Sequence, residues 1–294
     1  MKACINIISS RRNCIKHCLI DLWEKFNNKT NYPVYVYYFD DIYDSENFRK
    51  EIVEATPQNI IFKQVPYATP TFIKEEELYY NRHDLWYVRI SFPIHRKGYL
   101  HMCHFVSNIY GYENTELDQF DYIMIHDDES GYNKEMSFNP FETLENNPDI
   151  SIGAYFVGQR LKDGDPHQGH LDTRIGFWNF TKQFLLNNNI TPASEKLQEL
   201  MIDEKAEYNF HFIDWCDTYV INNKIFRTEL WNRWISAINR HGGIYKYRWG
   251  DNEVISMFAH IYQGYIHKFP AIDDGYHDQG KFRHLQDYAP GVKN

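Results

Sequence analysis

Residues 3–41 narrow the choice of fold more than any other stretch of the chain. Residues 3–10 read as a short buried strand, and Arg11-Arg12-Asn13 leads into an amphipathic helix with Asn13 placed to cap it. Ile15, Cys18, Leu19, Leu22, Trp23 and Phe26 recur at i, i+3, i+4, i+7, i+8 and i+11, the stripe one helix face presents to a core. Pro33 then opens a second strand over residues 34–39, which ends in Asp40-Asp41. Strand, helix, strand is the unit of a parallel sheet, and open α/β sheets place ligands at the carboxyl ends of their strands.

The alternation continues along the chain. A helix closes at residues 51–55 and residues 59–64 form a third strand, while residues 66–93, with Pro70, Glu75-Glu76-Glu77 and Tyr79-Tyr80, read as an irregular excursion. Gly98 precedes a helix with the stripe Tyr99, Met102, Cys103, Val106 and Tyr110. Residues 121–125 and 151–157 are further strands. Phe226, Leu230, Trp234 and Ile238 mark a helix stopped by Gly242-Gly243, residues 244–247 return as a strand, and a last helix starts at Asp251 with Val254, Ile255 and Phe258 inward. Residues 259–266 form a strand-like apolar run. With no internal repeat or low-complexity linker, the expectation is an α/β fold in one continuous domain, residues 1–294, with a mainly parallel sheet and long loops on one side.

Composition removes several classes of function. A chain of 294 residues can bury a sizeable core, and 31 basic against 40 acidic side chains leave a net charge of −9. That balance argues against a general nucleic-acid binder, which needs a basic surface for phosphates. No stretch approaches the roughly 18 apolar residues of a membrane span, so the chain as written is expected to be soluble and cytoplasmic, with no transmembrane segment. The five cysteines are odd in number and form no CxxC pair, which predicts reduced, buried thiols. The unusual item is 23 Tyr, 20 Phe and 7 Trp in a chain of mean hydropathy −0.61. Such a load serves either an aromatic core with a biased composition or amphipathic surfaces of the kind that hold sugars.

The most informative local feature is an apolar strand that ends in consecutive carboxylates, Tyr122-Ile123-Met124-Ile125-His126-Asp127-Asp128-Glu129. Three carboxylates this close repel one another, and a hard divalent cation relieves the repulsion while binding phosphate oxygens. The alternative is a solvated acidic turn. Asp40-Asp41 is similarly balanced between a contact to base or ribose and a plain turn. His267, between the apolar run and Asp273-Asp274, either completes a carboxylate-rich Mn²⁺ site or is a structural histidine. His241, before Gly242-Gly243, reads as a helix C-terminal cation. Asp217, an acid among aromatics, is either a nucleophile or stabiliser of an oxocarbenium-like transition state, or a cap. In Arg248-Trp249-Gly250-Asp251, Asp251 is an N-cap and Arg248 reaches a phosphate or a backbone carbonyl. The chain has no Gly-rich phosphate loop, GxGxxG, GxSxG or HExxH, so Walker-type ATPases, Rossmann dehydrogenases, serine hydrolases of that type and zincins lack support.

Several segments together resemble one family. Gly98-Tyr99-Leu100-His101-Met102-Cys103-His104-Phe105 is similar to the Ser-Tyr-Arg-His-Met-Cys-Arg-Phe segment of the fungal-type α-1,2-mannosyltransferases, glycosyltransferase family 15. His211-Phe212-Ile213-Asp214-Trp215-Cys216-Asp217 resembles that family's His-Phe-Trp-Ser-Asn-Phe-Glu, and Gly242-Gly243-Ile244-Tyr245-Lys246-Tyr247-Arg248-Trp249-Gly250-Asp251 resembles its Gly-Gly-Phe-Tyr-Tyr-Glu-Arg-Trp-Gly-Asp. Ile266-His267-Lys268-Phe269 with Asp274-Gly275-Tyr276-His277 parallels its Ile-His-x-Phe and Ile-Gly-Tyr-x-His. The four matches keep their order over almost the whole chain.

The resemblance implies a GT-A fold, with residues 1–125 as the nucleotide-binding half and 126–294 carrying metal, donor sugar and acceptor. It also implies Mn²⁺ dependence, with Mg²⁺ as the substitute, and retaining transfer of mannose from GDP-mannose to a hydroxyl of a glycan or glycoprotein acceptor. Carried over by position, His267 and Asp128 hold the metal, joined by Asp127. Asp217 takes the place of the family's candidate nucleophile Glu, Tyr99 approaches the donor sugar, Arg11 and Asp40 lie near the nucleotide, and Arg248 and Asp251 belong to the donor side.

The departures are specific. The family's Glu-Pro-Asp falls on His126-Asp127-Asp128, so the first acid is replaced. Asp217 is one methylene shorter than Glu, which favours ion-pair stabilisation with front-face attack over a covalent intermediate. The fungal enzymes are Golgi proteins with an N-terminal anchor that is not seen here, which leaves a soluble microbial or viral relative or a shortened form of a Golgi-luminal enzyme. Two other functions stand beside the first: a transferase or hydrolase using another nucleotide sugar, and a catalytically silent glycan-binding module on the same fold.

Overall fold

The computed structural model describes residues 1–9, 11–38, 46–65, 69–81, 97–108, 115–155, 158–159, 175–203, 214–215, 218–269, 277–278 and 281–285. The predicted opening is present. Strand β1 (Ala3–Ile8) leads into helix α1 (Arg12–Lys25), strand β2 (Val34–Tyr38), helix α2 (Glu46–Ala55) and strand β3 (Ile60–Gln64). Helix α3 (Lys97–Asn108) precedes the central strand β4 (Tyr122–Asp127), the short β5 (Gly131–Tyr132), helix α4 (Pro140–Glu145) and strands β6 (Ile152–Ala154) and β7 (Gly158–Gln159). Helices α5 (Phe177–Asn187) and α6 (Glu195–Ile202) are followed by strands β8 (Asp214–Trp215) and β9 (Tyr219–Asn222). The last part holds α7 (Glu229–His241), α8 (Gly243–Tyr247), α9 (Asp251–Tyr262) and strands β10 (His267–Lys268) and β11 (His277–Asp278).

Seven strands form one sheet in the order β10-β6-β9-β4-β1-β2-β3. Only β9 is antiparallel to its neighbours, so β1, β2, β3, β4, β6 and β10 all point their carboxyl ends to one edge. Both faces are covered, which is why β1, β2 and β4 read as nearly continuous apolar runs. Alternation along β4 sends Tyr122 and Met124 to the core under α1, α2 and α4, and Ile123 and Ile125 to the core under α3, α5, α7 and α9. The α1 stripe is buried as predicted at Ile15, Cys18, Leu19, Leu22 and Phe26, and Cys4, Cys14, Cys18 and Cys103 are buried free thiols. No helix among the described residues is long and apolar enough to cross a membrane.

Four local expectations change. Residues 244–247 are helical, not a strand: Tyr245 and Lys246 donate their amides to Gly242 O at 3.1 and 3.0 Å, and Tyr245 packs inward with its hydroxyl 3.1 Å from His101 Nδ1. Tertiary packing overrides the strand preference of Ile and Tyr there. The apolar run at 259–266 is divided, its first part completing α9 and its end turning at Gly264 (φ 96°). Asn13 lies inside α1, whose N-cap is Arg11, and Asp251 is the first residue of α9 behind the N-cap Gly250. Tyr110 and most of residues 66–93 fall outside the described residues.

Candidate active site

The register of β1 against β4 sets the chemistry of the sheet's carboxyl edge. Ile7 pairs with His126 and Ile8 with Asp127, so the next residue of each strand, Ser9 and Asp128, leaves the sheet side by side. Ser9 Oγ donates to Asp128 Oδ2 at 2.7 Å, the Arg11 amide donates to the same oxygen at 3.1 Å, and the Arg11 guanidinium pairs with Asp128 Oδ1. Arg11 Nε also lies 3.4 Å from Glu129 Oε2. Asp128 is fully buried beneath these partners. Sequence reasoning missed Ser9; its only signal was its place at the end of a strand beside the acidic one.

Asp127 turns the other way. It is half-buried and makes no ion pair among the described residues. Burial, followed by the charges of Asp128, Glu129 and Asp251 and against the pull of Arg11, pushes its carboxyl up to about 7. Excess negative potential of this kind is what a divalent cation relieves. His126, on the opposite face of β4, belongs to the core: its Nδ1 is 3.0 Å from Thr218 Oγ1 and its ring stacks on Tyr132 at 5.5 Å. Burial lowers its pKa to about 4, so it is a neutral packing residue at neutral pH.

The matched segment from Gly242 to Asp251 supplies the opposite wall. Gly242 is left-handed (φ 75°) and ends α7, and Gly243 leaves room for the Trp249 indole, which a Cβ there would overlap. Trp249 Nε1 donates to Ile175 O at 3.0 Å. Arg248 is itself left-handed (φ 55°, ψ 38°), a conformation that costs a non-glycine residue roughly 1–2 kcal/mol. The turn sets its guanidinium over the Tyr99 ring, 4.4 Å from the centroid. Tyr99 and Cys103 share one face of α3, where burial raises the pKa of both. Burial and the neighbouring Glu253 push Asp251 up to about 6, and the Cys103 thiol bonds its carboxylate and works against that rise. The structure thus brings Tyr99, Arg248, Asp251 and Asp127 together, with Arg11 and Asp128 behind Asp127.

Among the described residues no three His, Cys, Asp or Glu side chains form a metal cage. Both oxygens of Asp128 accept hydrogen bonds, one from Ser9 and the Arg11 amide and the other from the Arg11 guanidinium, so Asp128 holds Arg11 at this edge. His267 lies on β10, on the same sheet edge but three strands from β4, about 14 Å across the sheet. It is half-buried, its pKa is lowered by burial, and its ring meets Phe269 edge-on at 5.6 Å. The charge around Asp127 fits a cation; the described residues supply one ligand carboxylate rather than a complete set. Asp217 and Asp40 lie outside the described residues.

A profile of the family described as glycolipid 2-alpha-mannosyltransferase matches residues 1–286. The chain belongs to that family, glycosyltransferase family 15. It is 22% identical over 247 residues to the O-glycoside alpha-1,2-mannosyltransferase omh1 of Schizosaccharomyces pombe, covering 81% of this chain and 59% of that one. It is 24% identical over 245 residues to glycolipid 2-alpha-mannosyltransferase 1 of Candida albicans, covering 81% and 53%. The chain therefore spans little more than half the length of the curated relatives it matches. Among solved structures, core-mannan synthase A of Aspergillus fumigatus, in a Mn/GDP form, superposes with a TM-score of 0.77 at 18% identity over 99% of this chain and 79% of that one. The mannosyltransferase Ktr4p of Saccharomyces cerevisiae, in complex with GDP, gives 0.74 at 17% identity over 95% and 71%. These likenesses establish the shared GT-A type fold. At the positions that resemble the family's Glu-Pro-Asp, His126 packs in the core and Asp128 holds Arg11, while Asp127 makes no ion pair among the described residues.

Proposed function

We propose that the chain is a Mn²⁺-dependent, retaining α-mannosyltransferase that moves mannose from GDP-mannose to a hydroxyl of a glycan acceptor. The observation that carries this reading is the carboxyl edge of the sheet, where Asp127, raised to about 7, lies in the field of Arg11, Asp128, Glu129 and Asp251, and Arg248 is mounted on the Tyr99 ring. Arg248 binds and orients donor phosphate oxygens, and the Tyr99 ring beneath it fixes the guanidinium plane. Arg11, locked by Asp128 and Glu129, sets the positive side of the nucleotide pocket, and Asp40 contacts the nucleotide. Asp251, at the first turn of α9, accepts a donor-sugar hydroxyl. Asp217 stabilises positive charge at the anomeric carbon as the diphosphate leaves. Asp127 would hold the Mn²⁺, with His267 from the same edge and Asp128 behind it. When bound, the ion neutralises the diphosphate and makes GDP a better leaving group.

A second reading, a catalytically silent glycan-binding module, draws on His126 replacing the first acid and being buried in the core. A thermal-shift panel of GDP- and UDP-sugars with and without Mn²⁺, followed by transfer to methyl α-mannoside, separates the two. GDP-mannose with Mn²⁺ is expected to raise Tm by several degrees, since a ligand at about 100 times its Kd stabilises by about 2.7 kcal/mol. A response to UDP-sugars alone would replace the donor, and no Mn²⁺-dependent response to any nucleotide sugar would sink the transferase reading.

A further inference from the structure

Helices α5 and α7 run side by side beyond Trp249 and leave a cleft of about 600 Å³ between them. It is open to solvent, with Gln183, Asn187, Asn232 and Arg240 exposed along its rims. The floor is aromatic: Phe184 lies 5.1 Å from the Trp234 ring, and Phe180, only partly buried, lies 5.7 Å from Trp234 and 5.3 Å from Trp249. The walls are polar. Gln183 and Asn187 on α5, and Asn232, Ser236 and Arg240 on α7, line the cleft with side chains that make no hydrogen bond among the described residues. At one lip Glu229 accepts from Arg233 Nε at 3.0 Å, so those two charges cancel, and Arg240 makes no ion pair among the described residues.

Unused amides, a hydroxyl and a single guanidinium around aromatic rings match one ligand chemistry well. Sugar hydroxyls donate and accept at once, as amide side chains do, and the C–H faces of a pyranose pack on aromatic carbon. A polyanion would call for several clustered cations instead. From Phe180 to Asn188 the α5 wall is about 12 Å long, room for more than one sugar ring. At the Phe180 end the floor touches Trp249, the residue after Arg248.

We propose that this cleft is a second carbohydrate site, which holds a neutral mannose oligosaccharide: the part of the acceptor glycan remote from the reacting hydroxyl. The choice of mannose rests on the proposed function; the choice of a neutral glycan rests on the cleft alone. Its test is calorimetric titration of the whole chain with α-1,2-linked mannotriose in the absence of nucleotide and metal. Saturable binding is expected, weakened at least tenfold by Asn232→Ala with Arg240→Ala while Tm stays within about 2 °C of wild type, because these exposed side chains make no hydrogen bond or ion pair among the described residues. Ser236→Tyr, which fills the cleft from α7, should give the same loss. Absent binding, or binding unchanged in both variants, overturns the proposal. A Mn²⁺-dependent GDP-mannose shift without mannotriose binding removes the cleft and leaves the transferase; mannotriose binding without any donor shift does the reverse.

Discussion

Three neighbouring carboxylates at the end of β4 meet three environments. Asp128 accepts from Ser9 and Arg11, Glu129 lies along Arg11 Nε, and Asp127 makes no ion pair among the described residues. An Asp carboxyl at about 7 in the folded chain, against about 3.9 unfolded, means that the folded state holds the extra proton between these values. Its contribution to stability is therefore present below about pH 4 and lost as pH rises to 7. His126 works in the opposite sense: with a folded pKa of about 4 against about 6.5 unfolded, its contribution is present above pH 6.5 and lost as pH falls towards 4. The two offset each other in the wild-type profile, so Asp127 is best read by substitution. Asp127→Asn is expected to raise Tm at pH 7.5 by about 2 °C relative to wild type, to lose that advantage near pH 4.5, and to abolish the Mn²⁺-dependent donor shift. A Tm difference that is the same at both pH values would show that Asp127 ionises normally.

The segment from α7 to α9 is where an element, rather than a residue, carries the site. Gly242 turns the chain, Gly243 admits the Trp249 indole, Arg248 takes a left-handed turn, and Gly250 lies against the Glu253 carboxylate, which a Cβ there would displace. Gly243→Ala forces a Cβ into the indole ring and should cost about 1–3 kcal/mol in urea denaturation, with weaker GDP-mannose binding as Arg248 shifts off Tyr99. Gly176→Ala is the comparison: nothing lies within 4 Å of its Cβ, so only its φ of 71° opposes the change, at about 1 kcal/mol. Equal costs at the two positions would remove the packing argument. Little of this was legible beforehand. Apolar runs revealed β1, β2 and β4 because a doubly covered sheet needs them, and the stripes of α1 and α7 revealed helices. Residues 244–247 misled because Ile and Tyr favour strands until burial against α3 decides otherwise. The acidic edge was visible as composition, whereas the division of labour between Asp127 and Asp128 depends on the register of β1 with β4, which no local pattern encodes.

At the scale of the molecule, the far end of the chain returns to brace the edge that its beginning builds. β11 pairs with β5, the Phe282 amide donates to Glu129 O at 2.8 Å, and Cys14 Sγ on α1 donates to Phe282 O at 3.1 Å. Lys281 closes the brace: its ammonium lies 2.7 Å from Asp21 Oδ1 on α1 and also donates to Tyr132 O. Asp21 is nearly buried, and its other oxygen accepts the Tyr132 amide at 2.6 Å, so α1, β5 and residues 281–285 share one carboxylate. The backbone of Glu129, one residue from Asp128, is thus held by a segment about 150 positions later in sequence. Lys281→Met keeps the length of the side chain and removes its charge, leaving the Asp21 carboxylate short of a partner at a cost of about 1–3 kcal/mol. If the brace also positions the acidic edge, the variant should lose more Mn²⁺ affinity, measured without nucleotide, than a variant whose loss is purely conformational such as Gly176→Ala. A lower Tm with undiminished Mn²⁺ affinity would confine Lys281 to stability and free the carboxylate edge from any dependence on the chain's return.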